Sequence, residues 1–197
     1  MTLLSATILL FFVMDPLGNI PLFITALKGV PPERRRTVIV RELLIALALL
    51  VLFLFAGQLL LDALRISAPA LTIAGGVILL LIALRMIFPS AEHSLQEEVR
   101  GEPFIVPLAI PYTAGPSALA TEMLLMKQAP EHWPLWLAAV GLAWLASGII
   151  LYFSSALRER LGHRGLIAIE RLMGMLLITM AIEMLLTGLR AFMGHAA

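Results

Sequence analysis

The chain has 197 residues, of which 60% are apolar and 14% charged, with a net charge of +1 and a mean hydropathy of +0.98. This composition lies outside the range of soluble globular domains and places the chain in a bilayer. The near-neutral charge gives no footprint for nucleic acid, and the lack of cysteine removes disulfides and thiolate metal sites.

Six apolar stretches reach the ~20 residues that a membrane span needs. They run from Leu3 to Leu27, Val38 to Leu64, Pro69 to Phe88, Phe104 to Met126, Pro134 to Leu157 and Ile167 to Leu189. Their near-continuous apolarity favours helices over the short alternating strands of a barrel. The expectation is an all-α integral membrane protein with six transmembrane helices. The first stretch has no Lys/Arg start and no Ala-x-Ala site, so it reads as a mature span.

That first stretch contains Met14-Asp15-Pro16-Leu17-Gly18-Asn19-Ile20-Pro21-Leu22-Phe23, with an acid, two prolines, a glycine and an asparagine at mid-span. Such groups are retained inside membranes where they face a protein-lined cavity that handles a polar solute or an ion. Asp15 either neutralises a substrate ammonium, carries a proton, or caps the broken helix. Asn19 brings donors and an acceptor to the same place, and Gly18 frees the backbone between them. The following Arg34-Arg35-Arg36 run reads first as a topology determinant and second as an anionic-lipid or partner site. Arg41-Glu42 opens the second span, where anchoring or a salt-bridged gate is expected. Gly75-Gly76 in the third span marks close helix contact, and Arg85 near its end is expected to snorkel.

The fourth stretch repeats the anomaly, since Pro111-Tyr112-Thr113-Ala114-Gly115-Pro116 has the same Pro-x4-Pro spacing as Pro16 to Pro21. Thr113, Gly115, Ser117 and Thr121 are candidate cavity residues, their hydroxyls either lining it or bonding back to their own helix. Glu122 is either a second carboxylate on the path or an interfacial acid near Lys127. Trp133 and Trp136 fit an interfacial aromatic belt. Glu170-Arg171 opens the sixth span as an anchor or gate, with Gly174 beyond it. His93, His132, His163 and His195 share no ligand spacing, so neither a metal nor a cofactor is expected, and no catalytic motif makes the chain an enzyme.

Lys28, Arg34, Arg35, Arg36, Arg41, Arg85, Arg100, Arg158, Arg160, Arg164 and Arg171 flank the odd-numbered loops, against Arg65, Lys127 and Arg190 on the other side. The positive-inside rule then puts those loops in the cytoplasm and both termini in the periplasm. Shifted by 98 residues, Gly76, Ala83 and Met86 fall on Gly174, Ala181 and Met184. The chain therefore reads as a single membrane domain, 1–197, of two three-helix repeats, 1–90 and 104–197, joined by a cytoplasmic loop over 91–103. Three spans per unit make the repeats inverted, with the broken first and fourth helices meeting near the midplane. The half-helices after the breaks, from about Ile20 and Ser117, aim amides and a positive dipole end at that point, while those before offer carbonyls. A zwitterion fits both.

The Met14 to Phe23 motif, the Arg34-Arg35-Arg36 to Arg41-Glu42-Leu43 segment, Pro107-Leu108-Ala109-Ile110-Pro111 with Ala114-Gly115-Pro116, and Glu170-Arg171-Leu172-Met173-Gly174 together resemble the MarC family of inner-membrane proteins, over essentially the whole chain. The chain departs from that pattern at Ser117, where a second glycine is common, and at Tyr112 and Thr113, which replace aliphatics. The resemblance implies six spans, a bacterial inner-membrane location and transport of small neutral amino acids together with a cation. The expected function is a secondary transporter whose partners are the bilayer and a small molecule, with H+ or Na+ as coupling ion. A passive pore, an exporter of another metabolite or ion, and a non-transporting assembly or regulatory subunit are the alternatives.

Overall fold

The computed structural model describes residues 1–88 and 102–196. Among these residues there are helices and no strand: α1 (Leu3–Met14), α2 (Ile20–Ala26), α3 (Pro32–Ala63), α4 (Ala68–Ile87), α5 (Pro116–Gln128), α6 (Trp133–Tyr152) and α7 (Ser154–Ala196). A widened, irregular turn over Leu108–Thr113 precedes α5, and a short turn at Pro130–His132 precedes α6. Of the expected connecting loop 91–103, only Glu102 and Pro103 are among the described residues.

Four segments among the described residues are long and apolar enough to cross a membrane: Pro32–Ala63, Ala68–Ile87, Pro130–Tyr152 and Arg164–Gly194. The first and fourth expected spans are not continuous helices. The 12 residues of α1 rise ~18 Å and the 13 of α5 ~20 Å, both short of the ~30 Å hydrocarbon core. Their paired prolines remove backbone donors and clash with the preceding turn, so each stretch is split near its middle.

Two loop expectations change. The segment between the fifth and sixth spans is helical, because α7 begins at Ser154 and is interrupted only at Gly162, whose φ of 66° suits glycine. The second span begins at Pro32 rather than Val38, so Arg34, Arg35 and Arg36 lie on the first turns of α3. The aromatic belt also shrinks by one member. Trp133 is exposed, whereas Trp136 is buried and its indole N–H donates to the Ala129 carbonyl at 2.8 Å.

The lipid-facing surface follows from composition. Leu59, Leu81, Leu142, Leu172 and Leu186 are exposed on long helices, as expected for elements that are apolar all round and solvated by hydrocarbon. Inside, α1 packs on α6, α3 on α5, and α4 along α7. One cluster joins Leu10 of α1, Leu50 of α3, Ala118 of α5 and Ala139 of α6; another joins Leu79 and Ala83 of α4 to Leu177 and Ala181 of α7. Polar side chains stitch helices by donating to carbonyls across the interface: Gln58 to Met123 at 2.7 Å and Trp144 to Leu43 at 2.7 Å.

The contact between α4 and α7 is reciprocal. A Cβ at Gly76 would stand 3.1 Å from the Ala181 carbonyl oxygen and 3.2 Å from Met184 Cβ. A Cβ at Gly174 would stand 3.1 Å from the Ala83 carbonyl oxygen and 3.1 Å from Met86 Cβ. Each glycine thus lets one backbone approach the other, in the manner of small-residue crossings in membranes. Gly76→Val and Gly174→Val are each expected to lower stability by ~1–3 kcal/mol through overpacking. Thermal unfolding in detergent checks this, with Gly141→Ala, where nothing lies within 4 Å of the new Cβ, leaving the transition in place.

Candidate functional site

The first break is built by local backbone chemistry. Asp15 terminates α1 in the left-handed conformation (φ 44°, ψ 60°), its N–H donating to the Phe11 and Phe12 carbonyls. Aspartate is one of the few non-glycine residues that enters this region readily, because its short side chain bonds locally. Here Asp15 Oδ1 accepts the Gly18 N–H at 3.1 Å, and the Asp15 carbonyl accepts the Asn19 N–H at 3.1 Å. A side chain at Gly18 would collide with the Asp15 carboxylate and with Met86, so only glycine permits this turn. Asp15 therefore does cap the broken helix, yet it also borders a cavity while only 5% exposed.

The second break lies opposite. Ile110 leaves helical geometry (φ −124°, ψ 130°) within the widened turn, and α5 then starts from Gly115 with Pro116 in its first turn and no side chain capping it. Asn19 joins the two breaks. Its Nδ2 donates to the Met14 carbonyl at 2.9 Å and to the Tyr112 carbonyl at 2.6 Å, 93 residues away. Both acceptors are carbonyls that a regular helix would have satisfied, and Asn19 supplies a donor to each in its place.

Around this joint is a cavity of about 210 Å³, reached by Asp15, Gly18 and Asn19 from the first break and by Thr113, Gly115 and Ser117 from the second. Its other walls come from α4, through Leu79, Ile82, Arg85 and Met86, and from α7, through Glu170 and Leu177. The volume is below the ~300–1,000 Å³ of pockets for drug-sized ligands and suits a small solute. Two of its hydroxyls differ in availability. Thr113 Oγ1 donates back to the Leu108 carbonyl at 3.0 Å, whereas Ser117 Oγ is buried without a hydrogen-bond partner among the described residues.

Not every expected site residue reaches the cavity. Thr121 is buried on α5 with its hydroxyl donating to the Ser117 carbonyl at 2.8 Å, the i−4 bond open to a threonine within a helix, and it does not line the space. Glu122 is neither interfacial nor in the cavity. It is 0% exposed, and both its oxygens are buried without partners among the described residues. The reason is helical phase: Glu122 shares a face of α5 with Ala118 and Met126, which pack into the core with α1 and α6.

Conversely, Arg85 and Glu170, expected to snorkel or anchor, line the cavity. Phase could have found Glu170, which lies two turns before Leu177 on one helix face, whereas Arg85, six residues beyond Leu79, is turned well away from that leucine and gave no such signal. Arg41 and Glu42 sit apart from the cavity in a charged cluster. Arg41 reaches Glu42 at 2.9 Å and Glu102 at 2.7 Å, its guanidinium also donates to the Pro103 carbonyl, and Arg34 meets Glu102 at 3.1 Å. Among the described residues, no three His, Asp or Glu side chains come together as a metal site.

Comparison with known proteins gives one consistent answer. A model of the MarC family of integral membrane proteins matches residues 1–193. The chain is 50% identical over 192 residues to the UPF0056 inner membrane protein YhgN of Escherichia coli, covering 97% of this chain and 98% of that protein. It is 46% identical over 190 residues to a UPF0056 membrane protein of Buchnera aphidicola (96% and 97% covered), and 34% identical over 187 residues to one of Chlamydia muridarum (94% and 91% covered). No solved structure matches the chain at a significant level.

The bridge between the breaks generates a stability prediction. Asn19→Leu keeps the branching and the number of heavy atoms of the side chain but removes the donor to the Met14 and Tyr112 carbonyls. It is expected to cost ~1–3 kcal/mol for each buried acceptor left unsatisfied, read as a lowered unfolding temperature of the purified protein.

Proposed function

The chain belongs to the MarC family of integral membrane proteins, and from that premise we propose that it is a secondary transporter moving a small neutral amino acid across the inner membrane by alternating access. The observation that carries this reading is the cavity between the two breaks, small, partly enclosed and furnished with Asp15 and with Ser117, whose hydroxyl has no partner among the described residues. In this reading Asp15 receives the substrate ammonium. The uncapped amides of Ser117 and Ala118 at the start of α5, with the Ser117 hydroxyl, receive the carboxylate.

The alternating motion rests on reading residues 1–90 and 104–197 as inverted repeats. Two packing facts support it. Gly76 and Gly174, 98 positions apart, make matching contacts with each other's helix, and the broken span of each half packs on the middle helix of the other, α1 on α6 and the turn over Leu108–Thr113 with α5 on α3. The α4 and α7 residues that line the cavity lie toward the ends nearest the arginine-rich loops, which supports loading from the cytoplasm, with both termini periplasmic.

The coupling ion is H+ or Na+, carried at Asp15 or Glu122. A carboxylate with no partner in an apolar core is costly when ionised, so Glu122 gains by travelling with a cation.

Reconstituted vesicles test this directly. Asp15→Asn is expected to lower amino acid flux by ~100-fold or more, since removing one partner of a desolvated charge costs ~3–5 kcal/mol, while the protein still inserts. Wild-type flux in that variant would refute the site. Glu122→Gln is expected to retain exchange of substrate between equal pools but to lose accumulation driven by a proton or sodium gradient. Flux indifferent to any gradient in the wild-type protein would make it a passive pore instead.

A further inference from the structure

Of the three consecutive arginines at the start of α3, the fold engages two. Arg34 pairs with Glu102 at 3.1 Å, and Arg35 Nε donates to the Val30 carbonyl at 3.0 Å. Arg36 makes no ion pair among the described residues, not even with Glu33 one turn earlier. Its guanidinium carbon lies 5.6 Å from the centre of the Tyr152 ring, an arrangement that orients the cation without neutralising it.

Tyr152 also closes one end of a groove of about 210 Å³ on the outside of the protein, between α3 and α6. Val40 and Leu44 form one wall, Leu145 and Ile149 the other, and Gly148 leaves the space between them open. Positions 36, 40 and 44 are successive turns of one helix face, so the arginine heads an apolar slot that descends ~12 Å into the bilayer. The slot faces outward, away from the cavity between the breaks, and nothing in the transport reading uses it.

An apolar slot with an unneutralised cation at its membrane-surface end is complementary to an amphiphile with an anionic head. We propose that the α3–α6 groove holds an acyl chain of an anionic phospholipid, with the phosphate bound by Arg36. Lys28 and Arg35 nearby in the chain add to the positive field at the same end of the molecule, which favours such a headgroup over a zwitterionic one. A second copy of the chain would need an acid to meet Arg36 at the edge of an otherwise apolar contact, which makes lipid the better match.

The test uses the full-length protein in detergent, titrated with phosphatidylglycerol or with phosphatidylcholine of the same acyl chains, and counts retained lipid by native mass spectrometry. Wild-type protein is expected to prefer phosphatidylglycerol by about fivefold, the ratio that corresponds to ~1 kcal/mol per arginine near an anionic surface. Arg36→Gln, an exposed change, is expected to bring the two lipids near parity. Leu145→Trp, which fills the slot from its open side, is expected to reduce retention of both. Equal retention of the two lipids by the wild type, or a preference that survives Arg36→Gln, overturns the proposal. So does a dimer that Leu145→Trp dissolves in the absence of bound lipid, because that assigns the groove to a second copy.

Discussion

A carbonyl oxygen inside a membrane must find a donor, and in this protein the side-chain amide of Asn19 supplies it to two at once. Met14 ends a helix before its carbonyl can be used by the next turn, and Tyr112 sits in a turn that has left helical geometry. One Nδ2 group answers both and so holds the two breaks face to face. The cavity exists because the breaks meet, and they can meet without stranding these two carbonyls because this amide lies between them. The same device recurs more modestly where Gln58 reaches Met123 and Trp144 reaches Leu43. Side-chain donors to foreign carbonyls are a recurring polar link between helices here, as hydrocarbon offers no water for the purpose.

The α4–α7 crossing is the complementary element. It is dry, close and reciprocal, with glycines at Gly76 and Gly174 bringing backbones together and Leu79 and Leu177 turning to the cavity. A rigid pair beside a polar joint separates two tasks. The pair supplies a wall of constant shape, and the joint supplies groups that a solute can engage. The outer groove headed by Arg36 shows the same logic on the lipid side, where an arginine without an ion pair among the described residues stacks on Tyr152 at the mouth of an apolar slot.

Much of this was legible from residue types and their order. Paired prolines in an apolar stretch locate a break because the ring cannot sit inside a helix, and both breaks stand where Pro16 to Pro21 and Pro111 to Pro116 put them. Asp15 needed no alignment to be singled out, since a carboxylate at mid-span demands a reason. Less legible was the phase of each side chain around its helix. Thr121 and Glu122 looked like neighbours of Ser117 along the chain. A rotation of 100° per residue instead sends Glu122 into the core with Ala118 and Met126, while Thr121 bonds back to its own helix. Trp136 misled for a similar reason, because an interfacial aromatic and a buried one that donates to a loop carbonyl have the same sequence neighbourhood.

The sequence by itself determined that the chain is a helical membrane protein with two mid-span interruptions. Those properties follow from summed transfer energies and from proline stereochemistry, which act locally. Tertiary structure alone decided that Asn19 spans the gap to Tyr112, that Arg85 and Glu170 join Asp15 around one space while Glu122 is shut away from it, and that Arg36 stacks on Tyr152 without an ion pair among the described residues. Each of these depends on which helix faces lie opposite one another. That is set by packing between segments as far as 93 residues apart, over which no local preference of the chain extends.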